Sequence, residues 1–88
     1  MAHVQMFGER KAISTSSKTL LLVDDDKALR HLHSLILTHA GYSVRIAQDG
    51  FSALTATRIE VPNILLSDLY MPGMSGFELL SVVLRRFP

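Results

Sequence analysis

Two uninterrupted apolar runs in this chain each end on acid. Thr19-Leu20-Leu21-Leu22-Val23 leads into Asp24-Asp25-Asp26, and Asn63-Ile64-Leu65-Leu66-Ser67 leads into Asp68. A strand apolar at every position suits the middle of a parallel sheet, where both faces are covered. If the two runs are neighbouring parallel strands, all four carboxylates gather at one sheet edge. That carboxyl edge is where open α/β sheets bind their ligands. Like charges held so close repel and call for a counter-cation at neutral pH. A hard divalent ion, most simply magnesium, prefers one or two carboxylates with water and phosphate oxygen.

The segments between these runs give the rest of the architecture. From Ala28 to Ala40 apolar residues at Leu29, Leu32, Leu35, Ile36 and Ala40 form a helical stripe, and Gly41 is its expected left-handed stop. Ser43 to Ala47 alternates polar with apolar and reads as an edge strand. Asp49-Gly50 is a turn, and Phe51 to about Ile59 forms a short helix before Pro62. Met71-Pro72-Gly73-Met74 is a loop. Ser75-Gly76-Phe77-Glu78 is a capping box opening a helix to about Arg86, which buries Leu79, Leu80, Val83 and Leu84. Phe51 and Phe77 are expected in the core or as helix staples. The order β-α-β-α-β-α, with crossovers of sufficient length, requires an α/β fold: an open parallel sheet with helices on both faces.

Composition narrows the function. Eighty-eight residues make one small domain, and a mean hydropathy of +0.25 fits a globular core. A net charge of +1 with no basic cluster larger than Arg85-Arg86 argues against direct nucleic-acid binding. With no cysteine, disulfides and thiolate metal sites are excluded. Met1 to Ser17 contains no signal-peptide core and reads as a flexible leader. No run is long enough to span a membrane, and the default location is cytoplasmic. His31, His33 and His39 contain no pair at the i, i+4 spacing of a helical zinc site, so they read as surface residues. Met71 and Met74 read as loop-packing residues, and Asp26 as a helix-start charge.

From about Lys18 onward the chain resembles a two-component response-regulator receiver domain. The resemblance rests on Leu21-Leu22-Val23-Asp24-Asp25-Asp26, Gly41-Tyr42, Asp49-Gly50 with Ala53-Leu54, and Asp68-Leu69-Tyr70-Met71-Pro72-Gly73-Met74-Ser75-Gly76. It implies a flavodoxin-like fold of which residues 18–88 supply the N-terminal part, with strand order 2-1-3 out of 2-1-3-4-5. It implies that Asp68 accepts a phosphoryl group from a sensor histidine kinase or phosphotransfer protein. Asp25 would ligate Mg2+ directly, Asp24 through water, Asp68 beside them, and Tyr70 through its backbone carbonyl. Such a module is not an enzyme on outside substrates; slow loss of its own phosphoryl group is the most it would catalyse. An aspartyl-phosphate phosphohydrolase would need a second acid two residues after the nucleophile, and that position is Tyr70.

The family also takes a Ser or Thr from its fourth strand and a Lys from its fifth, and neither has a counterpart here. The chain therefore reads as a fragment of a longer regulator. The alternative function is a non-switching interaction or dimerisation module. Without a fourth strand the third would be an exposed apolar edge, so a homodimer or higher assembly covering that edge is expected.

Overall fold

The computed structural model describes residues 18–86 and, as backbone, the strand β1 (Val4–Gly8). After β1 come β2 (Thr19–Val23), α1 (Lys27–His39), β3 (Ser43–Ala47), α2 (Gly50–Ile59), β4 (Ile64–Asp68) and α3 (Gly76–Arg86). The sheet runs β1-β4-β2-β3. Its three parallel strands stand in the expected order, with β2 central: Leu22 lies opposite Ile46 on one side and Leu66 on the other. The chain steps from β2 outward to β3 and then back across β2 to β4. Right-handed crossovers in opposite directions put α1 on one face and α2 on the other. Accordingly α1 packs on β3 and β2, while α2 packs on β3, β2 and α3.

The fourth strand departs from expectation. Val4–Gly8, which falls within the segment read as a flexible leader, pairs antiparallel with the whole of β4, from Val4 opposite Asp68 to Gly8 opposite Ile64. The bare third-strand edge that motivated an intermolecular assembly is therefore occupied by the chain's own backbone. The remainder of the leader, residues 1–3 and 9–17, lies outside the described residues.

The two faces differ in how well they are packed. Leu21, Val23 and Leu65 meet Ala53 of α2, Leu79 and Val83 of α3, and Met71 and Met74 of the intervening loop in one buried cluster. The opposite face carries α1, none of whose residues is buried; Leu32, Leu35 and Ile36 are each at least half exposed. The apolar stripe of α1 exists as read, but among the described residues only the sheet lies beneath it.

Local signals set the boundaries. Asp26 caps α1 by accepting the Leu29 N–H at 3.1 Å, which bears out its helix-start role. Gly41 follows the helix with φ +104°, the left-handed conformation that glycine adopts without strain. Asp49 caps α2 through the Ser52 N–H at 2.7 Å. Ser75 Oγ accepts the Glu78 N–H at 3.2 Å, as the capping box requires. Three side-chain expectations fail. Leu84 is 45% exposed, on the outer side of α3, and Phe51 and Phe77 are each 61% exposed. Phe51 sits over the loop instead of the core: a Cβ placed on Gly73 would lie 3.3 Å from its ring.

Candidate metal and phosphoacceptor site

The carboxyl ends of β2 and β4 lie side by side because those strands are parallel neighbours in register, Val23 opposite Ser67. The next residue on each strand is an acid. Asp24, Asp25 and Asp68 each bring one carboxylate oxygen within 4.8 Å of the other two. Asp24 is 4% exposed and Asp68 7%, while Asp25 is open to solvent. The cluster is thus buried at its base and accessible at its mouth. Asp26 is not part of it.

The surrounding backbone fixes these acids. The Asp24 N–H donates to Ala47 O at 3.1 Å, tying the start of the acidic run to the end of β3. The Asp26 N–H donates to Asp24 Oδ1 at 2.9 Å. The Tyr70 N–H donates to Asp68 Oδ1 at 3.1 Å, folding the residue after next back onto the carboxylate. Beyond it the loop is pinned by the buried Met71 and Met74 and by the Gly76 N–H donating to Leu69 O at 3.0 Å. Gly50 lets α2 close on this loop, since a Cβ there would lie 2.6 Å from Met74 Sδ. Met71 and Met74 are packing residues, as read.

Burial pushes the Asp24 carboxyl above the ordinary carboxylate range; the Asp26 N–H opposes this, and the charges of Asp68, Asp25 and Asp26 add to it. A carboxylate that resists ionisation beside two others is a site of excess negative potential. Three carboxylates converging at a sheet edge are the hard oxygen donors that magnesium-sized cations take. Asp24, Asp25 and Asp68 could hold such an ion.

One positioning residue escaped the sequence reading. Arg30, on the second turn of α1, donates from Nη1 to Asp24 O at 2.8 Å and so braces the acidic run from the helix side. Its only sequence signal is a cation six residues after Asp24. Tyr70 has its side chain largely exposed.

The response regulator receiver domain family model matches residues 20–88. The chain belongs to that family. It is 35% identical over 71 residues to the DNA-binding response regulator MtrA of Mycobacterium tuberculosis, a match covering 81% of this chain and 31% of that protein. It is 40% identical over 67 residues to the DNA-binding transcriptional regulator NtrC of Klebsiella pneumoniae, covering 76% of this chain and 14% of the other. Among solved structures it is similar to the chemotaxis response regulator CheY4 of Vibrio cholerae, with a TM-score of 0.74 and 37% identity, covering 77% of this chain and 57% of that one. The chain thus spans well under two thirds of each of these relatives. Among the described residues no helix is long and apolar enough to cross a membrane.

Proposed function

We infer that this chain is a phosphoacceptor module of two-component signalling, with Asp68 receiving a phosphoryl group from a histidine kinase or phosphotransfer protein in a Mg2+-dependent step. The observation that carries this reading is the convergence of Asp24, Asp25 and Asp68 within 4.8 Å. In the transfer, an Asp68 carboxylate oxygen forms a bond to phosphorus while the phosphorus–nitrogen bond of the donor phosphohistidine breaks. The imidazole leaves as the neutral base once protonated. A carboxylate is a modest nucleophile toward an already anionic centre, so positioning and charge neutralisation supply most of the rate. A bound Mg2+ would offset the charge on the transferring oxygens. The chain's own residues do the rest. Asp24, Asp25 and Asp68 would hold the cation with the Tyr70 carbonyl as a further ligand, and the Tyr70 N–H orients the Asp68 carboxylate.

Turnover is confined to the chain's own acyl phosphate, and the added charge alters the face seen by a partner protein. This reading puts the chain in the cytoplasm, beside the kinase that would charge it. DNA binding, which the names of MtrA and NtrC carry, is not assigned to this segment.

One observation favours the second reading, a non-switching interaction module. The strand on the outer edge of β4 is Val-Gln-Met-Phe-Gly, which brings neither the Ser/Thr nor the Lys that the family places on that side of the acceptor. Incubation of the chain with acetyl phosphate and Mg2+, read by intact mass, separates the two. Phosphotransfer predicts a gain of one phosphoryl group that is lost without Mg2+ and absent in Asp68→Asn. No gain in the wild-type chain selects the second reading, and a gain surviving the substitution removes Asp68 as the acceptor.

A further inference from the structure

We propose that Arg30 is a positioning residue for the cation site: by holding the Asp24 carbonyl it fixes the peptide that carries Asp25, and so strengthens divalent-ion binding against the sense of its own charge. Resting on the reading of Asp24, Asp25 and Asp68 as a shared Mg2+ site, this role goes beyond it by naming a residue that sets its affinity. Helical side chains lean toward the N-terminus, so a long residue one turn into α1 reaches back over the start of the helix. Arg30 does this. Its backbone N–H donates to Asp26 O at 2.8 Å, closing the first turn, while its Nη1 continues past the cap to Asp24 O, also at 2.8 Å. A guanidinium-to-carbonyl bond of that length is charge-assisted and stronger than a neutral one.

The consequence falls on Asp25. A peptide unit is planar, so fixing the Asp24 carbonyl oxygen fixes the Asp25 nitrogen and Cα with it. The peptide before Asp24 is already held, since the Asp24 N–H donates to Ala47 O at 3.1 Å. Both backbone torsions of Asp24 are thereby set, and with them the direction in which the chain enters Asp25. Asp25 needs this more than its partners do: Asp24 and Asp68 are buried, whereas Asp25 is open to solvent. Arg30 works from the β3 side of the acidic run, lining a cleft with Ile46, Ala47 and Gln48. Its charge acts in the other direction, because a cation beside three carboxylates lowers their attraction for a divalent ion. Sign therefore separates the two roles.

Mg2+ affinity is measured on the full chain by NMR, from the amides of Asp68 to Tyr70 on the other strand, below the melting temperature of each variant. Arg30→Met and Arg30→Gln are both neutral, shorter in reach and good helix formers, so either one that folds serves. Lys27→Met removes the cation at the start of α1 and serves as the charge control. Positioning predicts that the Arg30 variants bind Mg2+ about tenfold more weakly, the size typical of losing a group that orients a metal ligand. Lys27→Met should leave the affinity unchanged or raise it. In an Asp25→Asn background the Arg30 substitution should change the affinity by less than about twofold, because Arg30 acts through Asp25. Arg30 variants that bind Mg2+ as tightly as the parent, or more tightly, would overturn the proposal and leave Arg30 as a charge only. A loss of the same size in the Asp25→Asn background would overturn it too, since the effect would then be a general loosening. If Asp25→Asn alone left the affinity unchanged, the shared site would fall, and this role with it.

Discussion

Truncating Leu79 to Ala is expected to lower Tm by at least about 10 °C, while Leu35→Ala on α1 shifts it by only a few degrees. Leu79 is fully buried among Leu21, Val23, Leu65 and Val83, with no room to relax into solvent. Removing a buried leucine side chain costs about 2–5 kcal/mol through lost transfer energy and the cavity left behind. A chain of this length has roughly 4–13 kcal/mol in total, at about 0.05–0.15 kcal/mol per residue. At this size each kcal/mol moves Tm by about 4–8 °C. Leu35 is 57% exposed, so its truncation removes surface already in water and costs about 1 kcal/mol or less. Thermal melts followed by circular dichroism decide the matter. If Leu35→Ala proved as damaging as Leu79→Ala, the face under α1 would be a packed core and the asymmetry described above would be wrong.

Replacing Asp24 by Asn should stabilise the metal-free chain and weaken its response to Mg2+ at the same time. Asp24 is nearly fully buried, and both desolvation and the neighbouring acids disfavour its charged form. Asn keeps an oxygen to accept the Asp26 N–H but removes the charge. Each kcal/mol of such relief raises Tm by about 4–8 °C in a chain of this size. The pH dependence has a definite sign. The folded value of Asp24 lies above its ordinary 3.8, so folding is most favoured below 3.8, and the advantage is lost as pH rises through the folded value. Asp49 acts in the opposite sense. Its caps from Ser52 lower its value, so its contribution is present above 3.8 and fades as pH falls through the folded value. Asp24→Asn should therefore remove the decline on the alkaline side of 3.8 and leave the acid-side loss. Added Mg2+ at tenfold excess over its Kd should stabilise the native chain by about 1.4 kcal/mol, and the variant by clearly less. A variant less stable than the parent without metal would mean that Asp24 is held by favourable partners and is not under strain.

Much of the fold follows from patterns a few residues long. The two fully apolar runs ending on acid specify two buried parallel strands and place their carboxylates together. The polar alternation of Ser43 to Ala47 identifies the edge strand. Caps at Asp26 and Ser75, and the stop at Gly41, are local chemistry and so are readable in the sequence. What escaped depends on contacts distant in the chain. Val4–Gly8 carries no turn signal or strict alternation to mark it as a strand, and becomes one only because β4 offers an edge sixty residues later. The bracing of Asp24 by Arg30 depends on where α1 sits over the acidic run. Phe51 and Phe77 are apolar residues at helix starts, and pattern alone does not distinguish a core position from one over a loop. Asp24, Asp25 and Asp68 were legible as a group because parallel pairing alone brings them together. The role of each within the group depends on ligand chemistry.

Titration of Mg2+ into the chain, followed by backbone amide NMR in the parent, Asp25→Asn and Asp68→Asn, tests most directly whether these acids share one cation. The expected result is a single saturable set of shifts confined to Asp24–Asp26 and Asp68–Tyr70. Each substitution should weaken it by at least about tenfold, as loss of one ligand from a small hard site requires. Shifts scattered over unrelated acids such as Glu60 and Glu78, or an affinity unchanged by both substitutions, would contradict a shared site.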